Sequence, residues 1–235
     1  VALITYKIVN DEGGKVKKAG RIACNFWNAF VTPSKPIVIR LGVADLDADT
    51  IAEAYEPHTA KGVVYGRVNF DERFLKKFTA RKAAGTIVHE IGHVLGFGFA
   101  KWLRLFDAKT GIFKPRSITL LPELDAMRVE LDGGEGTELS HWDEELFDKE
   151  LMTGEDDTAE HVLPVTIAVM KLLGHKVKKS LPKKTSLAKL LTEAQQLTFT
   201  KKAQAKKLDL DLFRVTPRWE ALPHQGRRRR ARARV

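Results

Sequence analysis

The stretch from Thr79 to Leu95 constrains the chain most. Its apolar residues Ala83, Ala84, Ile87, Val88, Ile91, Val94 and Leu95 recur at helical spacing and predict an amphipathic helix, with Gly96 and Gly98 stopping it. The same stretch carries His89-Glu90-Ile91-Gly92-His93. A spacing of four is close to one helical turn, so both imidazoles leave the same face. Two neutral imidazoles placed in this way can grip one Zn²⁺ at about 2.0–2.1 Å each. Glu90, one position on, stands at the edge of that face, where it can take a proton from water without being a ligand. Zinc gives that carboxylate a purpose, because it lowers the pKa of a water it holds to about 7. A surface helix that merely happens to carry two histidines does not account for Gly85, Gly92 and Gly96. Each weakens a helix by about 1 kcal/mol relative to alanine, a cost that makes sense where something must approach closely.

The surrounding pattern predicts an α+β domain with a mixed, twisted sheet and an active-site helix. Val1 to Val9 reads as a strand. Lys15 to Phe30 reads as a helix, apolar at Val16, Ala19, Ile22, Ala23, Phe26, Trp27 and Phe30, and Pro33 and Pro36 follow it. Pro36 to Leu41 and Val63 to Phe70 read as further strands. Val63 to Phe70 is the expected edge strand, along which an extended peptide would align by main-chain hydrogen bonds. Residues 99–140 have weak periodicity and read as a long, partly ordered insertion. Pro164 to Leu173 reads as a helix with proline in its first turn. Lys176 to Lys184 reads as a linker, and Ser186 to Ala205 as a helix with Leu187, Leu190, Leu191, Ala194 and Leu197 on one face.

A catalytic zinc needs a third protein ligand and an open fourth position. In the long motif H-E-x-x-H-x-x-G-x-x-H the third histidine would fall on Phe99, although the glycine is present as Gly96. A sharp turn at Gly96 is useful if a later segment returns to the metal. Among His58, His141, His161, His175 and His224, His141 is the best candidate, since a compact apolar turn, Leu151-Met152-Thr153-Gly154, follows shortly after it. Asp143 and Glu144 are alternatives, as carboxylates also bind zinc.

Gly85 to Gly98, His141-Trp142 and Glu150-Leu-Met-Thr-Gly154 together resemble the leishmanolysin-type metzincin peptidases. The resemblance covers residues 60–178, and residues 1–59 by order of elements only. It implies a metzincin-like zinc peptidase domain with one Zn²⁺ per chain. It also implies that His89, His93 and His141 bind the metal, that Glu90 is the general base, and that Gly96 makes the turn after the active-site helix. Met152 would form the floor of a methionine turn. The implied activity is hydrolysis of peptide bonds in a protein or peptide substrate, and the implied location is outside the cell. No charged-then-apolar leader is read at Val1.

Charge divides the 235-residue chain. Residues 1–175 hold 22 basic and 26 acidic side chains, and residues 176–235 hold 18 and 4, which together give the net +10. The expected organisation is therefore a catalytic domain over 1–178, with 99–140 inserted between zinc ligands, and a basic, flexible extension over 179–235. The run Arg227 to Arg230, with Arg232 and Arg234, suits an anionic partner such as nucleic acid or an anionic membrane surface. This leaves a second functional reading, a noncatalytic zinc-containing protein that binds peptide or nucleic acid through its tail. No apolar run approaches the length of a membrane span, and the single cysteine, Cys24, excludes an intrachain disulfide. Asp45, Asp47, Asp49 and Glu56 match part of a calcium-loop template. Thr50 replaces the glycine that template needs, so a polar strand-to-loop junction is expected there.

Overall fold

The computed structural model describes residues 3–197, apart from 48, 135 and 158. β1 (Ile4–Ile8) leads into α1 (Lys15–Phe30), where the Asp11 carboxylate accepts from the Val16 and Lys17 amides at 3.1 and 2.8 Å. These are two of the donors a helix start leaves open. β2 (Val31–Thr32), β3 (Ile37–Ala44), β4 (Ala52–Ala60) and β5 (Val63–Asp71) follow, then α2 (Glu72–Lys77) and α3 (Ala80–Val94).

The main sheet has the order β1-β3-β5-β4, with β1, β3 and β5 parallel and β4 antiparallel to β5. α1 is the crossover that parallel β1 and β3 require. β4 and β5 form a hairpin around Lys61-Gly62, both with positive φ (47° and 78°), as a two-residue turn of this hand demands. The architecture is thus a mixed α+β domain. The sequence expectation of an edge strand at Val63 to Phe70 is corrected here. β5 lies inside the sheet, paired with β3 on one side and β4 on the other, and the missed strand β4 holds the edge.

α1 and α3 pack against each other as well as against the sheet. The buried Trp27 indole donates to the Val88 carbonyl at 2.8 Å, tying the two helices together inside the core. Residues 45–47 are held by Arg73, which donates to the Leu46 and Asp47 carbonyls at 2.8 and 3.0 Å and ion-pairs with Asp71 at 2.9 Å. A guanidinium therefore satisfies the carbonyls of the calcium-like loop. Among the described residues Asp45, Asp47 and Asp49 do not gather into a cluster.

The segment after α3 is more ordered than its weak periodicity suggests. It contains α4 (Pro115–Leu120) and short turns of 3₁₀ helix around Phe97, Trp102, Phe106, Phe113 and Trp142, all buried. Neighbouring rings in this cluster have centroids 4.4–5.9 Å apart. Five aromatics spread along 46 residues carry no helical or strand period, so the pattern hides a core made by loops.

α5 (Glu144–Phe147), β6 (His161–Val162), α6 (Pro164–Ala168), β7 (Lys176–Val177), β8 (Thr185–Ser186) and α7 (Leu187–Gln196) complete the described chain. The expected linker at Lys176 to Lys184 is not free of the domain. β7 pairs with β2, and Leu181 is buried. α7 packs on α1 and α3 through Leu187, Leu190, Leu191 and Ala194, and Gly85 of α3 faces Leu187 at that contact. The packed unit therefore continues past residue 178. The Arg227–Arg234 run and the rest of 198–235 lie outside the described residues. Among the described residues no helix is long and apolar enough to cross a membrane.

Candidate metal centre

α3 begins with the Thr79 hydroxyl accepting from the Lys82 amide at 3.2 Å and runs through the motif without interruption. It ends at Gly96, whose φ of 121° turns the chain away. The Phe97 and Gly96 amides close the helix end on the Gly92 and His93 carbonyls at 3.2 and 2.8 Å. The aromatic cluster then folds back and delivers His141 to the face that carries His89 and His93.

The three Nε2 atoms form a small triangle. The His89–His93 edge is 3.0 Å, and His141 lies 3.1 Å from each of the others. No other described group of three potential ligands includes any of them. The opposite nitrogen of each ring meets a backbone carbonyl: His89 Nδ1 donates to Leu151 at 2.7 Å, His93 Nδ1 to Phe97 at 3.3 Å, and His141 Nδ1 to Thr137 at 3.0 Å. A carbonyl can only accept, so in each neutral ring the proton sits on Nδ1 and Nε2 presents a lone pair. Three lone pairs then converge with no proton among them, an arrangement that repels itself unless a cation occupies the centre. All three corners of such a triangle can lie about 2.0–2.1 Å from one point, the usual Zn–N distance. The residues therefore fit a zinc ion.

Electrostatics agree. Burial pushes the His89 pKa down and that of His93 well below its ordinary value, the latter helped by His141 and His89. It brings His141 down to about 3, with His89 adding to the effect. All three therefore stay in the neutral form that binds metal. Glu90 is buried, and desolvation with the charge of Glu53 on β4 raises its pKa to about 8.

Met152 is fully buried beneath α3. A Cβ placed on Gly92 would come 2.6 Å from its Sδ, so at this spacing any larger residue requires the Met152 side chain to shift. The close approach expected from the glycines is present at this point. The turn holding Met152 is knotted by the buried Glu150 carboxylate, which sequence reasoning did not single out. Its signal was an acidic residue set directly before the apolar pair Leu151-Met152.

The remaining candidates lie elsewhere. His58 stacks on Tyr65 with centroids 5.4 Å apart, His161 is in β6, and His175 Nε2 donates to the Leu95 carbonyl at 2.7 Å. Asp143 accepts from the Leu146 amide at 2.9 Å and starts α5. Glu144 groups with Asp148 and Asp157 instead of the histidines. His224 lies outside the described residues.

The family model described as leishmanolysin matches residues 55–180, a span that runs from β4 through the three histidines to the segment after β7. That match covers more than half of the chain, and the chain belongs to the leishmanolysin family of metallopeptidases.

Proposed function

We propose that the chain is a metzincin-type zinc endopeptidase that holds one zinc ion through His89, His93 and His141 and uses Glu90 as general base. The observation that carries this reading is the set of three Nδ1–H···O=C bonds, which turn three Nε2 lone pairs toward one point. A zinc ion held there supplies Lewis acidity, polarising a carbonyl and acidifying water. Glu90 accepts the proton of the attacking water and returns it to the leaving amine. Its burial suits that work, since a desolvated carboxylate binds a proton strongly and a nearby cation offsets the penalty on its charged form. Met152 supports α3 from below and keeps the two helical histidines level with His141. β4, as the edge strand beside α3, is the strand along which an extended protein or peptide substrate aligns.

The test is zinc per chain in the wild type and in His141→Ala, together with cleavage of an unfolded protein by the wild type and by Glu90→Gln. One zinc is expected in the wild type, with clear loss in His141→Ala. Glu90→Gln should retain zinc and lose rate by about 10²–10⁴-fold. A wild type that takes up no zinc sinks the metal assignment. Cleavage by Glu90→Gln at the wild-type rate removes the base, and zinc without any cleavage points to the noncatalytic reading.

A further inference from the structure

Glu150 is 1% exposed, and among the described residues it has no ion-pair partner. Its carboxylate is nonetheless fully engaged. Oε2 accepts from the Met152 amide at 2.7 Å, while Oε1 accepts from the Leu163 amide at 3.0 Å and the Thr166 hydroxyl at 2.7 Å. The Thr166 oxygen in turn accepts from the Trp142 indole at 3.0 Å, so its own proton is committed to Glu150. The backbone repeats the connection, with the Trp142 amide donating to the Met152 carbonyl at 2.9 Å. The Leu151–Met152 peptide unit, whose N–H Glu150 Oε2 holds, also carries the Leu151 carbonyl, which receives His89 Nδ1–H.

A single buried carboxylate thus reaches two of the three histidines by separate routes. One route runs through the main chain to the acceptor that sets the tautomer and angle of His89. The other runs through Thr166 to Trp142, the residue bonded to His141. A buried charge held only by neutral donors is costly to the fold, and a carboxylate is retained at such a place where its directional hydrogen bonds do something an apolar side chain cannot.

We propose that Glu150 is a positioning residue of the metal centre, aligning His89 through the Leu151 carbonyl and His141 through the Thr166–Trp142 relay. This rests on the zinc reading above, and the experiment separates the two. Glu150→Gln keeps the shape but places an amide N–H₂ against a donor in either orientation, Met152 N–H in one and Leu163 N–H with Thr166 O–H in the other. Thr166→Val cuts only the relay, and Thr166→Ser restores its hydroxyl. Zn²⁺ affinity is measured by competition with a chelating dye, and the visible spectrum of the Co²⁺-loaded protein reports ligand geometry.

Both Glu150→Gln and Thr166→Val should bind Zn²⁺ about 10–100-fold more weakly and show an altered Co²⁺ spectrum, with Thr166→Ser returning both to wild-type values. Should Glu150→Gln fail to fold, the Thr166 pair decides. Wild-type affinity and spectrum in every folded variant would overturn the positioning role while leaving the zinc site intact. A wild type that binds neither ion overturns both.

Discussion

Gly92 shows how much one residue can carry. The motif allows any residue at that position, but Met152 Sδ fills the space where a Cβ would stand. Gly92→Ala is expected to destabilise the protein by about 1–3 kcal/mol through overpacking, even though alanine favours the helix itself. Adding Met152→Ala should recover part of that loss, a coupling that a double-mutant cycle in urea measures directly. Additive effects would show that the two side chains do not meet. At this scale the sequence was informative where chemistry is local: His89, Glu90 and His93 announce themselves by spacing. It gave no role to Glu150, whose partners lie 2, 13 and 16 residues along the chain, and was silent on the carbonyls of Phe97, Thr137 and Leu151, because every residue has a carbonyl.

Among the elements, α1 was legible to its ends, because an unbroken apolar period runs between Gly13-Gly14 and Pro33. β4 was not. Glu53, Glu56 and His58 leave it no apolar alternation, and none of its residues is fully buried, so tertiary pairing with β5 makes the strand. That omission also misplaced the sheet edge. The connection between β3 and β4 depends on Asp71, which is fully buried and receives the Leu46 amide, the Arg73 amide and the Arg73 guanidinium. Hydrogen bonding to Arg73 holds its pKa at about 2, below the ordinary 3.8. Between those two values the unfolded chain binds more protons than the folded one, so this stabilisation is present above pH 3.8 and disappears as the pH falls through about 2. Asp71→Asn should therefore be less stable than wild type near pH 6, with the gap narrowing on acidification. Denaturant midpoints at a series of pH values check it, and a gap that stays constant with pH would exclude the linkage.

For the molecule as a whole, the three-histidine cluster brings together parts that the sheet does not. Two histidines come from α3, which packs on the sheet, and the third comes from the end of the aromatic-centred segment. An ion shared between them should stabilise the fold by mass action, by about 2.7 kcal/mol at free zinc 100 times the dissociation constant. For a chain of this size that corresponds to a rise in Tm of roughly 5–11 °C. Chelation should remove the rise in wild type, and His141→Ala should show little of it. Equal melting temperatures with and without zinc would mean that the two parts are held by packing alone. Chain-wide charge was legible early, yet it described residues 176–235 more than the domain that carries the three histidines.

The three carbonyls behind the histidines have one further consequence. They belong to Phe97, Thr137 and Leu151, and what each supplies is the position of its main chain, independent of its side chain. The centre is thus specified partly by loop length instead of residue identity. Exchanging Thr137 for another residue leaves its acceptor in place, whereas removing one residue between Thr137 and His141 should move the acceptor away from the imidazole. Across related chains, drift in spelling around this site should be tolerated far more readily than any change in count.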